Sequence, residues 1–192
     1  MRIVSIVGNR PQFVKAAPLS RALSRRAEEV LVHTGQHYDP ELADLFFDEL
    51  EIPRPDHALG VGPGSPTTQL AVMLQRFEPL LDAEAPDLVM VYGDTTTTLA
   101  GALAAAKAGL PLGHVEAGLR SFDRSMPEEQ NRLVADHLSA LLFCPTDAAV
   151  ANLAAEGIAE GVVQVGDVML DACRLFAPAA AARPGPAALG LE

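Results

Sequence analysis

Short apolar runs alternate along this chain with longer segments in which apolar positions recur at helical spacing. The runs contain many β-branched residues and are apolar on both faces, which is typical of strands buried in a parallel sheet. They lie at residues 2–7, 29–33, 87–92, 111–115, 141–144 and 162–165. The predicted helices between them lie at residues 11–25, 40–49, 66–84, 95–108, 127–140 and 147–156. This alternation predicts an α/β fold with a doubly wound parallel sheet.

Proline and glycine positions support these helix boundaries. Four prolines lie near predicted helix starts, where the missing N–H group costs little: Pro11, Pro40, Pro66 and Pro127. Gly109 and Gly157 follow predicted helix ends, where a left-handed backbone conformation is common. From Phe176 onward the chain is rich in alanine and proline, which is typical of a linker or tail. We therefore predict a folded domain at residues 1–175 and a linker at residues 176–192.

Composition restricts the classes of function. The 192 residues are 49% apolar, which is enough for one well-packed domain. The net charge of −11 is opposite in sign to that of most nucleic-acid-binding proteins, so we expect no nucleic-acid partner. The apolar runs are too short for a membrane span or a secretory signal, so we expect a soluble, cytoplasmic protein with no membrane partner. Cys144 and Cys173 are too few for a disulfide framework or a zinc site and are interpreted as reduced core thiols.

Polar residues that follow each predicted strand are candidate site residues, because ligands of doubly wound sheets bind beyond the carboxyl ends of the strands. The segment GNRPQ at 8–12 has one glycine, which argues against a dinucleotide fingerprint and a P-loop, so no NAD is expected. Arg10 and Lys15 lie near a helix amino terminus, where they are placed either to bind a diphosphate or to remain solvated. Gln36 and His37 belong to a polar cluster that either contacts a ligand or forms a turn.

Carboxylates follow the next two predicted strands. Asp94 precedes four threonines and is placed to cap the following helix, to face a ligand, or to do both. Alternate residues of a strand share a face, so His114 and Glu116 are expected to point to the same side. A carboxylate at the end of a buried strand is costly unless it is paired or used, and Arg120 is its candidate partner.

Glu128 lies at the start of the helix predicted at residues 127–140. Ser125 and Glu128 have the spacing of a capping box, which would give Glu128 a purely structural role. Glu128 and Arg132 also have the spacing of a helical ion pair. This segment by itself therefore does not indicate a site.

Six short motifs occur along the chain up to Ala172. They are GNRPQ at 8–12 with Lys15, TGQH at 34–37, YGDTTTT at 92–98, HVEAGLRS at 114–121, MPEEQNR at 126–132 and VGDVMLDA at 165–172. Together they resemble the non-hydrolysing UDP-N-acetylglucosamine 2-epimerase family. The succession of HVEAGLR and PEEQNR is highly specific for that family.

The resemblance implies a Rossmann-like domain that forms one half of a GT-B two-domain architecture, with a UDP-sugar substrate in the cleft between the halves. Such enzymes act in the cytoplasm, usually as homodimers, without NAD or an obligatory metal. They interconvert UDP-N-acetylglucosamine and UDP-N-acetylmannosamine by eliminating UDP to leave 2-acetamidoglucal and adding it back. The family's catalytic positions fall on Asp94, Glu116, Glu128 and Lys15. We expect substrate contacts from Arg10, Gln36, His37, His114 and Arg120.

Length and local sequence leave alternatives open. The family's second domain carries a catalytic histidine and much of the uridine site, so we expect this chain alone to be inactive. The TGQHYD and FFDELEIP segments are closer to members that act on UDP-2,3-diacetamido-hexuronic acid, although UDP-N-acetylglucosamine stays the first choice. A non-catalytic nucleotide-sugar-binding module is the alternative from another class, and it would have little use for all three carboxylates. A glycosyltransferase half is disfavoured because the epimerase motifs are so complete.

Overall fold

Seven parallel strands form a single sheet in the part of the chain that this computed structural model describes, namely residues 1–36, 47, 49–50, 52–183 and 185. The strands are β1 (Arg2–Val7), β2 (Glu28–His33), β3 (His57–Ala58), β4 (Leu88–Tyr92), β5 (Leu112–Val115), β6 (Leu141–Cys144) and β7 (Val162–Gln164). Their order across the sheet is β3-β2-β1-β4-β5-β6-β7, and every pairing is parallel. The predicted α/β class is therefore confirmed. The order reverses between β1 and β4, which is where ligands of such sheets bind.

Six helices lie in the described ranges, five of them between strands and the sixth after β7. They are α1 (Arg10–Leu23), α2 (Pro66–Glu84), α3 (Thr96–Lys107), α4 (Pro127–Leu138), α5 (Asp147–Ala155) and α6 (Val168–Ala181). Pro11, Pro66 and Pro127 lie in the first turns of their helices, as predicted. Gly109 and Gly157 have positive φ angles of 68° and 81° just past helix ends, also as predicted. The helix predicted at 40–49 lies largely outside the described residues.

The side chains of β1 show how the helices divide between the two faces of the sheet. Val4 and Ile6 belong to a core that includes residues of α2, α3 and α4, among them Phe77, Ala102 and Ala135. Ile3 and Val7 point to the other face and belong to a core that includes Phe13 of α1 and Val168 of α6. Full burial of one such side chain stabilises the fold by about 1.5–3 kcal/mol. Both faces are thus covered, as the apolar strand pattern requires.

Two elements were not predicted from the sequence. β3 has only two residues, and α6 continues through Phe176 to Ala181, so the segment predicted as a linker begins with helical residues. Phe176 packs against the core shared by α1 and β1. The division into residues 1–175 and 176–192 stays a prediction.

The cysteine prediction is half right. Cys144 is buried in the core beside α5, whereas Cys173 is exposed and is not a core thiol. No helix among the described residues is both long and apolar enough to cross a membrane.

Candidate active site

The buried side chain of Gln12 joins the loop after β1 to the turn after β4. Its Oε1 accepts the Gly8 N–H at 2.8 Å, and its Nε2 donates to the Tyr92 carbonyl at 2.8 Å. Nε2 also lies 3.0 Å from Thr95 Oγ1 and 3.1 Å from Thr98 Oγ1. The carboxyl ends of the two strands at the switch point are therefore held together by one amide. No local pattern predicts this role, because Gln12 is recognisable in the sequence only as part of the GNRPQ motif.

Hydroxyl groups connect the end of β2 to the start of α3 in the same way. Thr34 Oγ1 and Thr97 Oγ1 lie 2.9 Å apart, and the Thr97 hydroxyl donates to Gln36 Oε1 at 2.7 Å. Gln36 Oε1 also accepts the Thr97 N–H at 3.1 Å, so it caps the amino end of α3. An added Cβ at Gly8 would lie 2.2 Å from Thr97 Oγ1, so the loop that leads to Arg10 approaches without any side chain in between. Gln36, predicted to bind substrate, is here engaged with protein.

Asp94 does not cap α3, contrary to one of its two predicted roles. Thr95 is the N-cap residue, and its N–H donates to Thr98 Oγ1 at 3.2 Å. The Asp94 carboxylate instead accepts from Arg132 Nη2 at 2.5 Å, and the Asp94 carbonyl accepts from Asn131 at 2.8 Å. The turn after β4 is thus fixed by α4, and the Asp94 carboxylate stays about one third exposed, at 31%.

Glu116 forms an ion pair with Lys15 of α1, and the two side chains are 14% and 12% exposed. Both lie against Gly93, since a Cβ added there would be 2.9 Å from Lys15 Nζ and 3.6 Å from Glu116 Oε2. Glu116 has a positive φ of 69°, which is unusual for a residue with a side chain. Two predicted catalytic residues are therefore brought together beside the turn that carries a third, Asp94.

The prediction that His114 and Glu116 point to the same side is wrong. β5 ends at Val115, and the positive φ of Glu116 breaks the alternation of a strand. His114 contacts Asp136 of α4, whereas Glu116 contacts Lys15 of α1. These helices pack on opposite faces of the sheet.

His114 and Arg120 belong to a buried charged network centred on Asp136. His114 Nδ1 lies 2.7 Å from Asp136 Oδ1, and Arg120 Nη1 lies 2.7 Å from Asp136 Oδ2. Arg120 also makes two bonds of 2.7 Å to Glu156, so it is not the partner of Glu116 that the spacing predicted. Burial disfavours the charged form of Asp136, but the hydrogen bonds and charges of His114 and Arg120 outweigh burial and lower the pKa of this carboxyl. The His114 and Arg120 side chains are only 0% and 1% exposed.

Glu129, not its neighbour Glu128, is the buried glutamate of α4. The carboxylate of Glu129 accepts the N–H groups of Ser121 and Phe122, each at 2.9 Å, and Arg132 Nη1 at 2.8 Å. Burial opposes its ionisation, but these hydrogen bonds lower the pKa of Glu129. Glu128 is exposed in the first turn of the helix.

The two structural roles considered for Glu128 are not observed. The N-cap residue of α4 is Met126 rather than Ser125, and the Ser125 hydroxyl donates to Asp123 at 2.7 Å. Arg132 pairs with Glu129 and Asp94. The charges of Asp94, Arg132 and Glu129 are therefore linked in one chain of contacts.

Arg10 is exposed at the first position of α1, whose N-cap is Asn9. His37 lies outside the described residues. Within the described ranges, no three His, Cys, Asp or Glu side chains are grouped so that they could hold a metal ion.

The edge of the sheet between β1, β4 and β5 presents carboxylates that are each paired with a cation, beside the amino terminus of a helix. Such an arrangement suits proton transfer next to a bound anion.

Comparisons with known proteins agree with this picture. Residues 21–188 match the family model described as UDP-N-acetylglucosamine 2-epimerase. The chain is 57% identical over 171 residues to a UDP-N-acetylglucosamine 2-epimerase homolog of Methanococcus maripaludis, covering 89% of this chain and 48% of that protein. It is 47% identical over 182 residues to the UDP-2,3-diacetamido-2,3-dideoxy-D-glucuronate 2-epimerase of Pseudomonas aeruginosa, covering 92% of this chain and 51% of that protein.

Solved structures give the same result. The UDP-GlcNAc 2-epimerase of Methanocaldococcus jannaschii, in complex with UDP-GlcNAc and UDP, superposes with a TM-score of 0.94 at 43% identity, over 98% of this chain and 53% of that one. The Neisseria meningitidis UDP-GlcNAc 2-epimerase bound to UDP-GlcNAc gives a TM-score of 0.88 at 31% identity, over 95% and 51%. This chain spans about half the length of the curated relatives it matches. The predicted fold, one half of a GT-B architecture, is confirmed, and the chain belongs to the UDP-N-acetylglucosamine 2-epimerase family.

Proposed function

We propose that this chain supplies the acid/base side of the cleft of a nucleotide-sugar 2-epimerase that interconverts UDP-N-acetylglucosamine and UDP-N-acetylmannosamine. The observation that carries this proposal is the Lys15–Glu116 ion pair beside the turn that bears Asp94, at the switch point of the sheet. Relatives named for this activity match the chain at 46–47% identity, which supports the choice of substrate.

The proposed reaction has two stages. A carboxylate removes the proton from C2 of the sugar while the C1–O bond breaks and UDP leaves with the bonding electrons. A C1=C2 double bond forms, and the product is 2-acetamidoglucal. Reprotonation of C2 on the opposite face, with return of UDP to C1, gives the epimer. Since inversion requires a proton acceptor and a proton donor on opposite faces of the sugar, at least two acid/base groups are needed, one ionised and one protonated when the substrate binds.

We assign these two roles to Glu116 and Asp94, with Glu128 as a third carboxylate that reaches the cleft from α4. Each exchanges its role when the reaction runs backwards. Lys15 holds the Glu116 carboxylate in place through their ion pair. Arg132 does the same for Asp94.

The diphosphate requires positive charge, which this acidic chain offers only locally. Arg10 and the amino terminus of α1 are proposed to contact the phosphates, because exposed helix N–H groups and a guanidinium both favour anions. Gln36 and His37 are kept as proposed substrate contacts. His114 and Arg120, being enclosed, are proposed to act through other residues and not by touching the substrate.

We further propose that turnover needs a second domain of the size that the relatives carry, and that the active form is a homodimer of the two-domain protein. Supporting this, the chain spans only about half of each matched relative. The purified chain is expected to show no epimer interconversion and only weak UDP binding. Robust turnover by the chain alone contradicts this part of the proposal.

A chimera tests the catalytic assignment. Residues 1–181 are joined to the second half of the Methanocaldococcus jannaschii enzyme, and UDP-N-acetylglucosamine is supplied in deuterated water. Formation of UDP-N-acetylmannosamine with deuterium at C2 is expected. Glu116→Gln and Asp94→Asn should each lower kcat on the order of 10²–10⁴-fold while UDP binding is retained. The exposed Glu160→Gln serves as the matched control and should leave kcat unchanged.

The same assay distinguishes the alternatives. Identity to the Pseudomonas aeruginosa diacetamido-glucuronate epimerase is 47%, the same as to the Methanococcus maripaludis UDP-N-acetylglucosamine 2-epimerase, so both substrates are tested in parallel. Faster exchange with the uronic acid substrate would reassign the substrate and keep the chemistry. A chimera that binds UDP-sugars but exchanges no C2 proton would favour a non-catalytic binding module.

A further inference from the structure

Asp136 contacts three groups that come from the turns around the candidate catalytic carboxylates. Its Oδ1 lies 2.7 Å from His114 Nδ1, while its Oδ2 accepts the Gly118 N–H at 3.1 Å and Arg120 Nη1 at 2.7 Å. The Asp136 side chain is 0% exposed, so no water competes for these bonds. Neither the sequence motifs nor the proposed chemistry assigns a role to this residue.

The hydrogen-bond partners of His114 define its protonation state. Nε2 lies 2.6 Å from the Gly93 carbonyl oxygen, which can only accept, so Nε2 carries a proton. Nδ1 faces Asp136 Oδ1, and the lowered pKa of this carboxyl makes it an acceptor, so both ring nitrogens are placed to donate.

When both nitrogens of His114 carry protons, the network contains two positive and two negative groups. His114 and Arg120 are the cations, and Asp136 of α4 and Glu156 at the end of α5 are the anions. Cys144 of β6 also senses the charges of Asp136 and Arg120, and burial raises its pKa, so the thiol adds no charge. A balanced network of this kind satisfies the rule that buried charges are paired.

Two bonds of this network end at backbone groups of the catalytic turns. The Gly93 carbonyl, held by His114, belongs to the peptide bond that leads into Asp94. The Gly118 N–H, held by Asp136 itself, lies two residues beyond Glu116. Gly118 has a φ of 79°, and a Cβ there would lie 2.4 Å from the Ala149 carbonyl, so this turn has no freedom to move towards α5.

We infer that Asp136 is a positioning residue that fixes the Asp94 turn and the Glu116 turn relative to each other, through the His114 ring and through the Gly118 amide. The inference rests on the proposed function for the roles of Asp94 and Glu116. It extends that function by naming the group that holds the two carboxylates at a set separation. A displacement of about 1 Å between such groups costs on the order of 10²-fold in rate.

Nitrogen NMR of the chain with labelled histidine tests the inference at neutral pH. The ring of His114, identified by loss of its signals in His114→Gln, is expected to show protons on both nitrogens. In Asp136→Asn the Nδ1 proton should be lost, and the backbone amide signals of Asp94 and Glu116 should shift together. Glu156→Gln is the matched control, because it removes a partner of Arg120 that touches neither His114 nor Gly118. It should keep both ring protons and both amide signals.

Each outcome decides the question. One ring proton in the unaltered chain, or unchanged Asp94 and Glu116 signals in Asp136→Asn, overturns the inference. Should Asp136→Asn fail to fold, His114→Gln takes its place and should shift Asp94 while leaving Glu116 in position. In the chimera, Asp136→Asn should lower kcat with little change in KM. The spectra do not depend on turnover, so an inactive chimera would refute the proposed function and leave the positioning role standing.

Discussion

Replacing Gly8 with alanine puts a methyl group where the ends of β1 and β2 meet the start of α3. The added Cβ would lie 2.2 Å from Thr97 Oγ1 and 2.3 Å from Thr34 Oγ1, and Cβ atoms essentially never approach other atoms within 3.0 Å. The two hydroxyls also bond to each other at 2.9 Å, so both cannot move away without losing this contact. Gly8 is not among the glycines with positive φ, so the effect is steric and not conformational.

The cost follows from two contributions. Overpacking a close-packed interior costs about 1–3 kcal/mol, and loss of a buried hydrogen bond adds about 1 kcal/mol. Together they predict that Gly8→Ala lowers the free energy of unfolding by about 2–4 kcal/mol. For a chain of this length that lowers Tm by about 4–16 °C. Urea denaturation followed by circular dichroism measures the first quantity, and a thermal scan measures the second.

A matched control separates crowding from the loss of glycine itself. At Gly64 an added Cβ would lie 3.6 Å from Thr68 Cβ, an ordinary contact, so Gly64→Ala should change stability by less than about 0.5 kcal/mol. Removing the hydroxyl with Thr97→Ala should make the Gly8 substitution less costly. If Gly8→Ala and Gly64→Ala have the same free energy of unfolding, Gly8 is not packed closely against Thr34 and Thr97, and the reasoning is refuted.

Three further predictions concern the buried charges and the thiols. The pKa values of Glu129 and Asp136 are lowered, so their stabilising effect is complete above their unfolded values near 4 and is lost as the pH falls through the folded values; a flat urea-midpoint profile between about pH 6 and 2 would contradict this. Glu129→Gln should destabilise the fold by about 2–4 kcal/mol, because the two carboxylate oxygens accept from three donors and one of these oxygens becomes an NH₂ group, which can only donate. Glu160→Gln is the control in the same urea titration. Cys173 should react with a thiol reagent in the native chain while Cys144 does not, since Cys144 is buried and its pKa is raised to about 11; equal rates measured by mass spectrometry would refute this.

The strands were predictable because the central ones are buried on both faces. Val4 and Ile6 face one core while Ile3 and Val7 face the other, so the run stays apolar without alternation and is recognisable from sequence. β3 escaped prediction because two residues carry no periodicity. α6 escaped because its second half combines alanines with Pro178, a composition that also suits a linker.

The positions of the candidate carboxylates were predictable, but their partners were not. Parallel strands have their carboxyl ends at the same edge of the sheet, so Asp94 and Glu116, which follow two such strands, lie at that edge. The partner of Glu116 is Lys15, 101 residues away, and no local spacing identifies it. Choosing between Glu128 and Glu129 likewise depends on how α4 docks, which its own sequence does not specify. The predicted common face of His114 and Glu116 failed because the strand ends one residue before the glutamate.

The left-handed backbone of Glu116 has a consequence for how this position evolves. A residue with a side chain is strained by roughly 1–2 kcal/mol in this region, and glycine or asparagine is less so. Selection for thermal resistance alone would therefore move position 116 away from glutamate, provided that Lys15 changes with it. Under the proposed function, selection of the chimera for turnover would keep the glutamate and accept a less stable fold. Libraries varied at positions 15 and 116 and sorted by the two criteria should diverge, and the extent of their divergence measures how far stability and activity conflict at this turn.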